Sequence, residues 1–487
     1  MKKTKFVAVA AAAVMAVSAV GALAGCGTDE AHTISVLLLA DLAESQFYMD
    51  YFEDVAKRLT EDLGEKYVID FDYAQESDYT NKVDTAFTGG TAPDIFYVRP
   101  NDLLRYKNRI VSLQDYADHH ATENGVNLND VYAKALDMYR FDPATGRLGN
   151  SNDDLYAFPK DLSCQQLGYN IKLLREYRGV FDNLGLKYPC ALEASTPAEK
   201  IMDFSRETYT WTQYKNLCKG IHDAAVAKNG AKNDVCASDV PNLEVVVKSF
   251  GGDLIDLSGG RESGKVTKID EGPVAEAIDY LVDLVDCGAA DHRNATYANF
   301  TSGKVVFYGE VGSWQISQYD SYIGDGDWGV MPWPTTDGSP NWQGRLTSAG
   351  YAVTTSAVEN GKGDIAMSLA ISFMSTATQD LMAKDYKVSI PLLNSMQSNY
   401  LDPELDNVYH PVSRKYFMEV ISGTHGFTPK VYETLTNEWL SVLSEELSGI
   451  YKDGNPNNKL ASWKANDRTR VYNLMQSRYD ASVNQYV

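Results

Sequence analysis

The sequence predicts an α/β fold of two or more domains, built on open, mostly parallel sheets. Residues 34–98 run strand, helix, strand, helix, strand, the order of a parallel sheet with helical crossovers. The chain has 487 residues, more than a single core accommodates. Internal repeats and low-complexity blocks, the marks of a solenoid or a disordered chain, are not found.

The first element is a leader. Lys2, Lys3 and Lys5 precede an apolar run from Phe6, which closes on Leu23-Ala24-Gly25-Cys26. A basic start, an apolar middle and small residues at a cut site make a secretory signal. The closing residues resemble a bacterial lipobox. That resemblance implies cleavage before Cys26, a thioether lipid on it, and a lipid-modified amine. Residues 1–25 are then the signal and 26–32 a lipidated tether. The alternative is an uncleaved anchor, since the run is nearly of spanning length. Residues 8–13 are all Ala or Val, and Gly21 and Gly25 weaken such a span. Signal and anchor alike put the chain after Cys26 outside the cytoplasm.

Ile34–Leu39 is apolar at nearly every position, as in a strand buried on both faces. Residues 44–63 follow as a helix, with Phe47, Tyr48, Tyr51, Phe52, Val55 and Leu59 on one stripe. Val68–Tyr73 alternates like a strand, 78–87 is helical up to Gly89-Gly90, and Asp94–Val98 is a third strand. Ligands of such sheets sit beyond the strand C-termini, where Asp41, Arg99, Asn101 and Asp102 fall. Pro273 opens a helix through Val285, tolerated at its first position. Residues 362–387 and much of 428–487 are helical.

The formal charge is −22, and loss of the signal lysines makes it more negative. Nucleic acid is therefore excluded as a partner. Cys26, Cys164, Cys190, Cys218, Cys236 and Cys287 contain no C-x-x-C spacing, so neither zinc nor a redox pair is indicated. One or two disulfides (Cys190 with Cys218 or Cys236) and free buried thiols are both open. Asp325-Gly326-Asp327 is a turn rather than half a calcium loop, lacking EF-hand spacing. Phosphate-loop, zincin and nucleophile-elbow motifs do not occur, and seven scattered His form no catalytic set. No cofactor and no metal are expected.

Several segments together resemble the extracellular solute-binding proteins of ABC importers, in the family that includes maltose-binding protein. Phe87-Thr88-Gly89-Gly90-Thr91-Ala92-Pro93-Asp94-Ile95-Phe96 is similar to its small-Gly-x-x-Pro-Asp signature. Tyr156-Ala157-Phe158-Pro159 with Gly168-Tyr169-Asn170 resembles its crossover into the second domain. Tyr209-Thr210-Trp211-Thr212 resembles its Trp-Thr helix start, with Thr212 as the expected cap. Phe300–Phe307, Gly312-Ser313-Trp314, Trp328–Pro334 and Thr347–Val353 match further strands in the family's order. The resemblance covers about residues 33–395; the last ninety match loosely.

It implies two periplasmic-binding-protein-like lobes, each an open sheet flanked by helices, joined by three crossings near 157–160, 332–336 and 389–394. Lobe one is then 33–157 with 336–390, and lobe two 158–335 with 391–487. It also implies a lipid-anchored, non-enzymatic subunit on the outer face of the cytoplasmic membrane. This subunit would be a monomer that closes on an oligosaccharide and passes it to a membrane permease.

The resemblance also implies a set of ligand residues. Trp314 aligns with a tryptophan that stacks on sugar rings, whose C–H faces an indole covers; core packing is the alternative. Asp41 and Glu44 align with a loop that bonds sugar hydroxyls, as carboxylates suit a neutral polyol. Arg99 and Asp102 follow strand three. Asp161 and Ser163 follow the first crossing, where the family often carries an acid and this chain has Ser163. Glu310, Trp342, Arg345 and Tyr351 complete the set. A secreted glycoside-active enzyme would need two carboxylates at a defined separation, and no pair stands out. A binder of a peptide or polyamine is the other alternative.

Overall fold

The computed structural model describes residues 33–39, 42–63, 66–230, 233–256, 264–324, 326–384, 390–401, 414–423, 425–428, 436–452 and 459–486. Cys26 and Asp41 lie outside them, and Glu44 belongs to the helix Leu42–Leu63, of whose first side chains nothing is described.

Thirteen strands are described in chain order. They are β1 Thr33–Leu39, β2 Val68–Ala74, β3 Ile95–Val98, β4 Phe141–Asp142, β5 Arg147–Leu148, β6 Phe158–Asn170, β7 Cys236–Ser238, β8 Ile255–Asp256, β9 Lys265–Val266, β10 Val305–Gly312, β11 Trp328–Met331, β12 Gly344–Val353 and β13 Gly426–Phe427. Nine form one sheet in the order β2-β1-β3-β12-β6-β10-β7, with β11 on β6 and β13 on β12. β4 with β5, and β8 with β9, are small hairpins.

Lobe one begins as the sequence reads. β1 pairs in parallel with β2 and with β3. Its inner residues Ile34, Val36 and Leu38 are buried under Tyr51, Phe52 and Val55 of the helix Leu42–Leu63. The helix Glu76–Gly89 stops at Gly90, whose φ of 71° lets its N–H close on Ala86. Asp94 then ties β3 to β1, its carboxylate accepting from the Ser35 N–H and hydroxyl at 2.8 and 3.0 Å.

Lobe two holds β10 and β7, parallel to each other. The helix Trp211–Asn229 starts at Thr210, not with Thr212 as its cap. The Thr210 hydroxyl accepts from Gln213 N, and the Gln213 side chain accepts from Thr210 N, a reciprocal box that position 212 cannot make. Pro273 does open the helix Gly272–Asp286.

Two strands belong to both lobes. The first half of β6 pairs antiparallel with β12; its second half pairs with β10 and β11. β12 in turn pairs with β3 at Gly350–Val353. The joined sheet is therefore mixed, with parallel strands at its wings and antiparallel strands at its middle. Residues 392–395 stay with lobe one: Leu392 O accepts from Tyr132 N, and Asn394 N and Ser395 N donate to Asp130. The helix Arg414–Ile421 packs against β6 and β12.

The five described cysteines are free thiols. Cys190 lies beside Tyr169 and Arg175, Cys218 beside Tyr214, and Cys236 beside Asp291, so the suggested Cys190 disulfides do not form. Asp327 is held by Lys172 at 2.8 Å, as a turn residue would be; Asp325 lies outside the described residues.

Candidate functional site

The shared strands sort their residues by alternation, because directly opposed residues of an antiparallel pair face the same way. Arg345 opposes Gln165, Thr347 opposes Ser163, and Ala349 opposes Asp161. These six make one face. The intervening residues, Leu162, Cys164, Leu346 and Ser348, make the other. That second face is closed by the helix Arg414–Ile421, with the Cys164 thiol 3.6 Å from Phe417 O. On the first face Gln165, Arg345 and Thr347 are half-buried and reachable from solvent.

Trp314 joins this first face. Gly312 opposes Gln165, and a Cβ on Gly312 would stand 2.7 Å from the Trp314 ring. The indole therefore lies over Gly312 on the Gln165 side, and only glycine leaves room for it. Trp314 is half-buried, whereas five tryptophans (Trp328, Trp333, Trp342, Trp439 and Trp463) are fully enclosed. Ser313 fixes the turn: its N–H donates to Cys164 O, and its hydroxyl accepts from Cys164 N at 3.3 Å.

Charges here are matched. Arg345 meets Glu244 at 2.5 Å, with both side chains largely buried; burial raises the Glu244 carboxyl and Arg345 opposes the rise. Lys160 meets Asp161 at 3.1 Å in deep burial. Asp161 also accepts from Ala349 N at 3.0 Å, just where β12 carries a register shift between Ala349 and Gly350. Tyr97 connects this pair to lobe one. Burial pushes its hydroxyl up to about 12, while Arg99 and Lys160 pull it down. Arg99 lies with its guanidinium 6.0 Å from the Tyr97 ring centre. Asp102 accepts from Arg99 N at 2.9 Å and so shapes the turn after β3. Ser163 is buried, and among the described residues its hydroxyl has no partner.

Of the residues expected from the sequence, Trp314, Asp161, Ser163 and Arg345 share one face, and Arg99 reaches its lobe-one end through Tyr97. Glu310 is exposed on β10, two residues before Gly312, with its carboxylate 3.4 Å from the Tyr308 hydroxyl. Trp342 and Tyr351 are elsewhere. Trp342 stacks on His425 at 4.2 Å and 3°, near Tyr416. Tyr351 is enclosed in the lobe-one core between Phe373 and Phe52. Gln165, Thr347 and Glu244 were missed, because strand pairing and the Arg345 ion pair bring them here. A groove of about 660 Å³ lined by His222, Cys236, Asp291 and Lys304 lies at the opposite end of β10, on the order of 20 Å from Gly312 at the rise of a strand.

The family description "Bacterial extracellular solute-binding protein" matches residues 54–407. The chain belongs to this family. A solute-binding protein of this family works on the extracytoplasmic side, and the described residues include no helix long and apolar enough to cross a membrane. Solved structures share the two-lobed solute-binding fold. The ABC substrate-binding protein of Listeria monocytogenes in complex with cycloalternan is 17% identical with a TM-score of 0.63, over 91% of this chain and 98% of that one. The GacH receptor of Streptomyces glaucescens, solved with acarbose, is 17% identical with a TM-score of 0.63, over 93% and 99%. UgpB of Mycobacterium tuberculosis, in complex with glycerophosphocholine, is 15% identical with a TM-score of 0.62, over 92% and 98%. No curated protein matches the sequence.

Proposed function

We propose that this solute-binding protein captures an oligosaccharide on the Gln165–Arg345–Thr347 face and delivers it to an ABC permease, anchored by lipid at Cys26. The observation that carries this reading is the half-buried Trp314 indole lying over Gly312 beside that polar face. An aromatic plane suits the C–H face of a sugar, and the neighbouring amide, hydroxyl and guanidinium suit its hydroxyl rim. Lys160 and Arg345 are each held by a carboxylate. Neither offers an unmatched charge to an anion, which favours a neutral ligand. Asp41 and Glu44 belong to this reading as hydroxyl acceptors, and Arg99, Asp102, Ser163 and Glu310 as flanking contacts.

The lobes are 33–157 with 336 to about 401, and 158–335 with the C-terminal region. The bonds of Leu392, Asn394 and Ser395 to Tyr132 and Asp130 support keeping 392–395 with lobe one. Ligand closes the lobes by binding the closed form more tightly.

Calorimetry of the mature chain against maltooligosaccharides, cyclic glucans and chitooligosaccharides tests the ligand class, with glycerophosphocholine and spermidine as non-sugar arms. Saturable heat with one glycan class is expected. Heat with a non-sugar arm alone overturns the reading. Mass spectrometry of membrane-extracted protein tests the anchor, and an unmodified Cys26 overturns it.

A further inference from the structure

Asp239 directly follows β7 and is buried. Both of its carboxylate oxygens accept from one backbone N–H, that of Gly309, at 3.0 and 2.9 Å. Gly309 sits in an irregular stretch of β10. Tyr308 opposes Gly168 and Val311 opposes Gln166. Gly309 and Glu310 therefore stand opposite Leu167 alone, two residues against one, which is a β-bulge. A bulged N–H loses its ladder partner, and a buried N–H without a partner is costly. Asp239 supplies that partner from the neighbouring strand.

The site is shaped around this bond. A Cβ on residue 309 would stand 2.6 Å from the Trp333 ring and 3.4 Å from both Asp239 oxygens. The clash with the Trp333 ring reserves this position for glycine, while the carboxylate oxygens stand at ordinary contact distance. Burial pushes the Asp239 carboxyl well above the ordinary range, the Gly309 N–H opposes this, and the Glu310 charge adds to it. The outcome of the bulge is Glu310, turned out to solvent immediately before the turn that carries Trp314.

We infer that Asp239 is a positioning residue: by holding the Gly309 N–H it keeps the β10 bulge formed and so aims Glu310 at the bound ligand. The aiming rests on the carbohydrate reading above; the clamp on Gly309 does not.

The test uses the mature chain and the variants Asp239→Ala, Asp239→Asn, Glu310→Ala and the Asp239→Ala/Glu310→Ala double. Amide hydrogen exchange over 309–314 reads the clamp without ligand. Calorimetry with maltotetraose and chitotetraose reads the aim. Asp239→Ala should speed exchange at 309–314 on the order of tenfold, with peptides of lobe one unchanged. It should weaken binding by a similar factor in the wild-type background and by much less beside Glu310→Ala, because the two act as one unit. Asp239→Asn keeps a carbonyl acceptor for Gly309 and should restore both readings.

Unchanged exchange in Asp239→Ala overturns the clamp. Equal affinity losses in the two backgrounds overturn the aim. Asp239→Asn is the decisive variant if the alanine fails to fold. Weak binding with wild-type exchange would make Asp239 a direct contact and end the positioning role. If the wild type binds neither probe, the carbohydrate reading suffers, and exchange still decides the clamp.

Discussion

The two faces of β6 and β12 alternate along the same residues and meet different surroundings. Leu162, Cys164 and Leu346 turn toward the helix Arg414–Ile421 and are fully enclosed. Gln165, Arg345 and Thr347 turn the other way and remain half-open, with Trp314 beside them. Trp342 packs on the closed side of this region, against Tyr416 and His425. Two tryptophans 28 positions apart thus have opposite settings. One lies over a glycine at an open face; the other is stacked and covered. Residue type is no guide to ligand contact here, because strand pairing assigns the face.

The sharpest way to break this contrast is to truncate the covered ring. Trp342→Ala should lose about 3–5 kcal/mol of stability in urea denaturation. Its affinity at a temperature where it is folded should stay within about tenfold, or 1.4 kcal/mol. Lost affinity with stability retained would move Trp342 to the ligand. The converse holds for the open ring. Trp314→Ala should lose about 2–4 kcal/mol of binding, roughly 30- to 1000-fold, with little change in melting temperature. A large drop in melting temperature with affinity intact would make it core.

Ser163→Ala sharpens the contrast within one face. The hydroxyl is buried without a partner among the described residues, and removing an orphan should stabilise the unliganded protein by about 1 kcal/mol. On the proposed reading, in which a bound ligand supplies the missing partner, glycan affinity should fall. A melting temperature lowered by the substitution would mean that the hydroxyl is already satisfied.

A pH dependence at Asp239 probes the lobe-two side of the comparison. Its native carboxyl lies above the unfolded value, near 3.8. The unfolded chain therefore releases its proton first, and the contribution to stability falls as pH rises from that value toward the native one. The melting temperature of the wild type relative to Asp239→Asn should be highest below about pH 4 and decline above it. A flat difference across that window would mean that the carboxyl titrates alike in both states.

Much of lobe one was legible because its signals are local. The apolar run of β1, the aromatic stripe of the helix Leu42–Leu63 and the glycines ending Glu76–Gly89 each act within a few residues. The helical run expected over 362–387 is broken into Gly363–Ile371, a short 3₁₀ turn at Ser372–Met374 and Thr376–Lys384, followed by residues outside the description. β6 gave little warning of its length: buried along nearly all thirteen residues, it lacks the alternation that marks a strand. The candidate site was partly legible. Trp314 was flagged by its motif, but Gln165 and Thr347 depend on a pairing between segments 188 residues apart, as the Asp161–Ala349 bond illustrates. Tyr351 was misleading because a strand shared by two lobes points some residues into a core.

The strand order also sets a schedule for folding. β3 lies between β1 and β12, and β12 arrives only after residues 158–335 of lobe two have been synthesised. Until residues 344–353 are available, the first lobe is a three-stranded fragment with a bare backbone edge at β3, open to wrong partners. Closing that edge requires a loop that spans residues 158–335 of the second lobe, which makes it a slow, late event. The half of the protein made first is therefore among the last to be completed, and the chain remains vulnerable to aggregation until its hinge is in place.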